Sequence, residues 1–149
     1  MITKSATIAL SGAFDPLHVG HIRMIKSATN FGRVIIILNS DDWVKRRKGY
    51  LLTPWSDRKE LLLAINGVSE VIKVNDSDET VCEALESMHP TVFGNGGYTT
   101  RTNTPERELC LRLGIRLVWG LGGGEKDAYS NDMIRKILNK ETEEIELDW

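Results

Sequence analysis

The chain has 149 residues, enough for one domain with a sizeable core. Lys and Arg number 19 against 21 Asp and Glu, a net charge of −2, with 41% hydrophobic and 27% charged residues. This balance excludes a disordered chain and weighs against a bulk nucleic-acid binder, which is normally basic. The longest apolar run, Val34 to Leu38, is too short to span a bilayer. Met1 to Ser5 shows no signal-peptide pattern. Cys82 and Cys110 form no Cys-x-x-Cys pair, so free thiols in a reducing cytoplasm are expected.

Taken in chain order, apolar runs alternate with helical patterns. Ala6 to Leu10 reads as a first strand, and Val34 to Leu38, apolar throughout, as one buried on both faces. Further strands are expected at Val71 to Val74, Thr91 to Phe93 and Ile115 to Trp119. A first helix is expected from His18 to Phe31, with Gly32 past its end as a C-cap. A second opens at Thr53-Pro54, with Thr as N-cap and Pro at the first helical position, and stops near Asn66-Gly67. Asp78 to Met88 forms a shorter helix, ending before His89-Pro90. Thr104-Pro105 opens another that ends at Gly114, and Ser130 to Lys140 forms the last. The alternation predicts an α/β fold, a Rossmann-like doubly wound sheet of five parallel strands in a single domain spanning 1–149. The tail 141–149 holds five acids and no base. It reads as solvated, the alternative being packing of Ile145, Leu147 and Trp149 on a partner subunit.

The informative segment is Ser11-Gly12-Ala13-Phe14-Asp15-Pro16-Leu17-His18-Val19-Gly20-His21, which follows the first strand and opens the first helix. Ligands of open α/β sheets bind at the carboxyl ends of strands, and a helix N-terminus there favours anions through its free N–H groups and dipole. His18 and His21, at i and i+3, share a face. Both can donate to phosphate oxygens, and either can be protonated near neutral pH. Gly20 between them costs about 1 kcal/mol of helix propensity relative to Ala, explained if a nucleotide approaches the backbone closely. Two unrelated surface histidines, or a metal pair, are the other readings. No third metal ligand stands nearby, and no metal residues are assigned.

The run Gly12 to His21 resembles the Gly-Thr-Phe-Asp…His-x-Gly-His signature of the cytidylyltransferase-like nucleotidyltransferases. The similarity covers roughly residues 5 to 140, and the chain resembles glycerol-3-phosphate cytidylyltransferases and the adenylyltransferase domain that activates heptose 1-phosphate. Asn39-Ser40-Asp41 after the second strand matches them. So does the basic stretch Lys45-Arg46-Arg47-Lys48-Gly49 before a helix carrying Arg58. The resemblance implies condensation of a nucleoside triphosphate, CTP favoured with ATP as the alternative, with a small phosphomonoester, releasing pyrophosphate. The attacking phosphate oxygen is already ionised, so no general base is required. The task is to gather two anions and stabilise charge on the α-phosphate and the leaving group. That calls for His18, His21, Lys45, Arg46 and Arg58, with Mg²⁺ carried by the triphosphate. His18, His21, Lys45 and Arg58 are the catalytic candidates. Lys45 to Lys48 as a solvated loop, and Arg58 as a surface ion-pair partner, are the rival readings.

Nucleotide binding is expected at Ser11, Gly12, Ala13, Phe14, Asp15 and Gly20. Asp15 would shape the loop near the phosphates, or act as a plain turn residue before Pro16, and Ser11 would cap the loop. Gly94, Asn95 and Gly96, after the fourth strand, would let the backbone approach a base or ribose. Relatives carry an aspartate where this chain has Gly97. At the last helix Ser130 matches the first of their hydroxyl residues and would hold a β- or γ-phosphate. Asn131 and Asp132 replace the other hydroxyls, and Lys126 stands near the arginine some relatives have. These departures motivate an alternative, a non-catalytic nucleotide sensor of the same fold, and a general protein-interaction domain is the third class. The expected partners are the triphosphate and the phosphorylated acceptor, with no nucleic acid and no membrane. A homodimer is expected, using Val68, Val71 and Trp149 as contact surface.

Overall fold

The structure, a computed structural model, describes residues 5–96 and 104–123. The helix expected at Ser130 to Lys140, the tail, and Gly97, Tyr98, Lys126, Asn131 and Asp132 lie outside the described residues. The elements run β1 Thr7–Gly12, α1 Val19–Ala28, β2 Arg33–Leu38, α2 Asp41–Lys48, α3 Trp55–Leu63, β3 Val68–Ile72, α4 Cys82–Met88, β4 Val92–Gly96, α5 Pro105–Leu113 and β5 Arg116–Leu121. The strands form one sheet in the order β3-β2-β1-β4-β5, and every pair is parallel. This is the doubly wound α/β fold that the alternation predicts. Its order reverses at β1, between β2 and β4, which puts the crevice at the carboxyl end of β1.

Strand periodicity divides the core into two layers. Ile8 and Leu10 of β1, and Val34, Ile36 and Leu38 of β2, meet Met24, Ile25 and Ala28 of α1 and Leu62 of α3. Ala9, Ile37 and Phe93 face the other way, onto Ala84 and Leu85 of α4 and Leu109 and Cys110 of α5. Helices therefore cover both faces, which is why β2 is apolar at every position but its first.

Several boundaries differ from the sequence expectation for local reasons. His18 is extended (φ −145°, ψ 175°) and caps α1 rather than opening it. The end of α1 tightens through i→i−3 bonds from Asn30 to Ser27 and Phe31 to Ala28, so Thr29 is the C-cap. Gly32 serves close approach instead: a Cβ there would lie 2.5 Å from the Ala6 carbonyl oxygen. α3 is capped by Pro54 rather than Thr53, with no side-chain bond at the cap. Asp78 Oδ1 accepts from both N–H and hydroxyl of Thr80, at 2.9 Å each, forming a turn that delays α4 to Cys82. The segment Asp41–Lys48 is a helix in its own right, started by Ser40 and ended by Gly49 in the left-handed region (φ 80°). Val71 belongs to the core, which corrects its expected place on a dimer surface, and Val68 is half-buried against it. Among the described residues no helix is long and apolar enough to cross a membrane.

Candidate active site

The loop from β1 to α1 is built around two imidazoles. His18 Nδ1 accepts from the Gly20 N–H at 3.1 Å, and His21 Nδ1 accepts from the His18 N–H at 3.2 Å. The His-x-x-His spacing thus closes a reciprocal capping box in which imidazoles do what Ser and Glu do elsewhere. The rings stack with centroids 3.8 Å apart and planes 26° apart. A neutral imidazole whose Nδ1 accepts carries its proton on Nε2. Each ring therefore keeps Nε2 as its donor atom; both residues are buried, His18 at 9% and His21 at 6% exposure, and His18 Nε2 is itself buried. This revises the anion-binding expectation: the His18 ring takes the Gly20 amide, so donation moves from that amide to imidazole. Gly20 is buried at the second position of α1.

The remaining loop residues support the pair from beneath. Phe14, 3% exposed with φ 50°, places its ring 4.7 Å from that of His21 and belongs to the core, which corrects its assignment as a nucleotide contact. Gly12 leaves room for it, since a Cβ there would sit 3.1 Å from the Phe14 ring. Ser11 stays within β1, in register with Ile37. Asp15 is fully buried; its Oδ2 accepts from the Leu52 N–H at 2.8 Å and its carbonyl accepts from Lys48 Nζ at 2.8 Å. Asp15 therefore ties the loop to the segment between α2 and α3. Its Oδ1 has no hydrogen-bond partner among the described residues.

The basic residues are not where the sequence places them. Arg58 is fully buried. Its guanidinium donates to the carbonyls of Thr53 at 2.8 Å, Ala13 at 2.7 Å and Asn39 at 3.0 Å, and to Asp41 Oδ1 at 2.6 Å. It locks the ends of β1 and β2 to the starts of α2 and α3. It is a positioning residue, which corrects the expectation that it touches phosphate. Lys45 is exposed on α2, whereas Lys48, one turn later on the helix, reaches the histidine loop. Arg46 turns away to Glu79 at 2.8 Å and to the Asp76 carbonyl at 3.2 Å. Asp76 accepts from Asn39 Nδ2, the Ser40 N–H and the Ser40 hydroxyl, fixing the Asn39-Ser40 turn.

Gly94 and Gly96 are glycines for packing rather than for ligand approach. A Cβ at Gly94 would meet Leu121, Ile8 and Leu10 side chains at 2.5–2.9 Å. At Gly96 it would meet Met24 Sδ at 2.7 Å. Asn95, between them, is half-buried and points to the opposite side of the sheet. Ser130 lies outside the described residues. Sequence reasoning missed Trp55 and Lys73, which line a cavity of about 420 Å³ with Ser40, Asp41, Pro54, Ser56 and Val74. A Trp in the otherwise polar first half of a helix is the available signal.

A family model described as cytidylyltransferase-like matches residues 9–118. The FAD synthase of Pyrococcus abyssi is 37% identical over 91 residues, 60% of this chain and 61% of that one. The bifunctional protein HldE of Geobacter sulfurreducens is 32% identical over 139 residues, covering 90% of this chain and 27% of that protein. This chain thus spans less than two thirds of either relative's length. In fold it is similar to a lipopolysaccharide core biosynthesis protein of Thermoplasma volcanium, with a TM-score of 0.64 and 20% identity over 78% of this chain and 96% of that one. With the family model covering the sheet from β1 into β5 and the imidazole pair at its switch point, the chain belongs to the cytidylyltransferase-like family of nucleotidyltransferases.

Proposed function

We propose that the chain joins a nucleoside triphosphate to a small phosphomonoester and releases pyrophosphate. The observation that carries this reading is the stacked His18–His21 pair in the loop at the carboxyl end of the central strand, its Nδ1 atoms held by backbone N–H groups so that Nε2 is each ring's donor. An oxygen of the acceptor phosphate attacks the α-phosphorus, and the bond from that phosphorus to the α,β-bridging oxygen breaks. The attacking oxygen is already ionised, so no proton need be removed. Charge grows on the α-phosphate oxygens and on pyrophosphate. Fixed Nε2–H donors there stabilise the transition state more than the ground state.

Magnesium enters with the triphosphate as part of the substrate. Lys48 and Lys45 supply positive charge from α2, and Ser130 is assigned to the β- or γ-phosphate. Both CTP and ATP are candidates: the family model is described by cytidylyl transfer, and one relative makes FAD, an adenine dinucleotide. The same reading places the chain in the cytoplasm, where Cys82 and Cys110 stay reduced, and as a homodimer, the commonest closed symmetry. The test is pyrophosphate release with each of four triphosphates against a panel of phosphomonoesters. Release that depends on both substrates supports the reading. Tight triphosphate binding with no release under any pairing would identify the non-catalytic sensor instead.

A further inference from the structure

The cavity floored by Trp55 opens at the carboxyl ends of β2 and β3, across β1 from β4. Trp55 is held rigidly: its Nε1–H donates to the Leu38 carbonyl at 3.1 Å and its ring packs on the core. Two ammonium groups flank the ring, Lys73 Nζ at 5.1 Å and Lys59 Nζ at 5.5 Å from its centroid. Neither lysine has a carboxylate within 4.0 Å among the described residues. The one carboxylate lining the cavity, Asp41, is neutralised by Arg58 at 2.6 Å. The cavity also meets the start of α3, which no side chain caps and where Ser56 stands. An anion entering it would find an ammonium, a hydroxyl and a helix N-terminus together. A cavity of about 420 Å³ lies in the range that encloses a small organic ligand.

We propose that this cavity seats the body of the phosphomonoester acceptor on Trp55, and that Lys73 holds a second anionic group, phosphate or carboxylate, on that body. The inference rests on the nucleotidyltransferase reading. In that reading the α-phosphate lies at the histidine loop, and the cavity adjoins that loop through Arg58, which bonds both Asp41 of the cavity lining and the Ala13 carbonyl. A doubly anionic acceptor uses the uncompensated lysine charge; an acceptor with one phosphate leaves it idle.

Three probes share one body: glucose 1-phosphate, glucuronic acid 1-phosphate and glucose 1,6-bisphosphate. Their binding to the full chain is measured calorimetrically without triphosphate, beside inorganic phosphate. The wild type is expected to bind the two doubly anionic sugars at least tenfold more tightly than glucose 1-phosphate. Lys73→Ala, an exposed position at the end of β3, is expected to erase that gap by weakening the two doubly anionic sugars most. Equal binding of all three sugars by the wild type would overturn the proposal, as would equal weakening of all three by Lys73→Ala. Inorganic phosphate binding as tightly as the bisphosphate would overturn it too, by showing an anion site without an acceptor body. Because binding is measured without triphosphate, it decides the cavity even if pyrophosphate release fails throughout, the outcome that overturns the parent reading.

Discussion

Replacing Arg58 by Ala separates a positioning role from a catalytic one. In the folded chain its side chain is fully buried and makes four hydrogen bonds, one of them an ion pair with Asp41, whose side chain is 33% exposed. Truncation leaves the Ala13 and Asn39 carbonyls without this buried donor and Asp41 without its cation. An unsatisfied buried group costs about 1–3 kcal/mol, and breaking a buried pair about 3–5 kcal/mol. These contributions overlap, and water reaches Asp41, so about 3–5 kcal/mol in total is expected. In a domain of this size roughly 2–4 °C of melting temperature is lost per kcal/mol, so Arg58→Ala should melt about 6–20 °C lower. Arg58→Lys keeps charge without the planar fork and should fall between. Thermal melting by circular dichroism, with urea titration as a second measure, reads this directly. A melting temperature within 2 °C of wild type, with turnover abolished, would refute the clamp and return Arg58 to the phosphates.

His18→Ala should lose both its cap and its donor: about 1 kcal/mol of stability and about 10²–10³ in turnover. His18→Asn restores a good N-cap without Nε2, so stability should recover in melting experiments while turnover stays low; recovery of both would assign His18 to capping alone. Lys48→Ala should reduce kcat/KM for triphosphate more than Lys45→Ala in steady-state kinetics, because Lys48 reaches the Asp15 carbonyl and Lys45 is exposed; the reverse order would contradict the placement. Burial pushes the Cys110 thiol up to about 11, with nearby Cys82 and Glu106 adding to it. At neutral pH it holds roughly a hundredfold less thiolate than an ordinary thiol, so iodoacetamide followed by mass spectrometry should label it slowly unless the chain is unfolded; rapid labelling of the native protein would contradict this. Light scattering at micromolar concentration should report a dimer, and a monomer would count against that assignment.

The elements legible in the sequence are those whose signal is local or periodic. Val34 to Leu38 announced a doubly buried strand because every residue is apolar. Thr104 and Gly114 bracketed α5 as expected: the Thr104 hydroxyl accepts from the Arg107 N–H at 3.1 Å, and Gly114 adopts φ 72°. The His-x-Gly-His spacing exposed the shared face of the two imidazoles, though not that each would cap the other's backbone. α2 was read as a basic stretch because Val44 is its only buried residue, too little for an apolar stripe. Its caps, Ser40 and Gly49, are the local signal of the helix. Arg58 could not be placed by local reasoning, since two of its partners, Asn39 and Ala13, lie 19 and 45 residues away. The same holds for Gly94 and Gly96, where only the neighbouring Leu121 and Met24 decide whether a missing side chain makes room for ligand or for core.

In the proposed reaction the His18–His21 pair stabilises charge on a triphosphate under attack by a phosphate. Its most direct test is pyrophosphate release by the wild type, His21→Ala and His18→Asn, with saturating triphosphate and a phosphomonoester substrate identified in the screen. Release is expected to require both substrates, and turnover to fall about 10²–10³ in each variant with the fold retained. Wild-type turnover in either folded variant would contradict it.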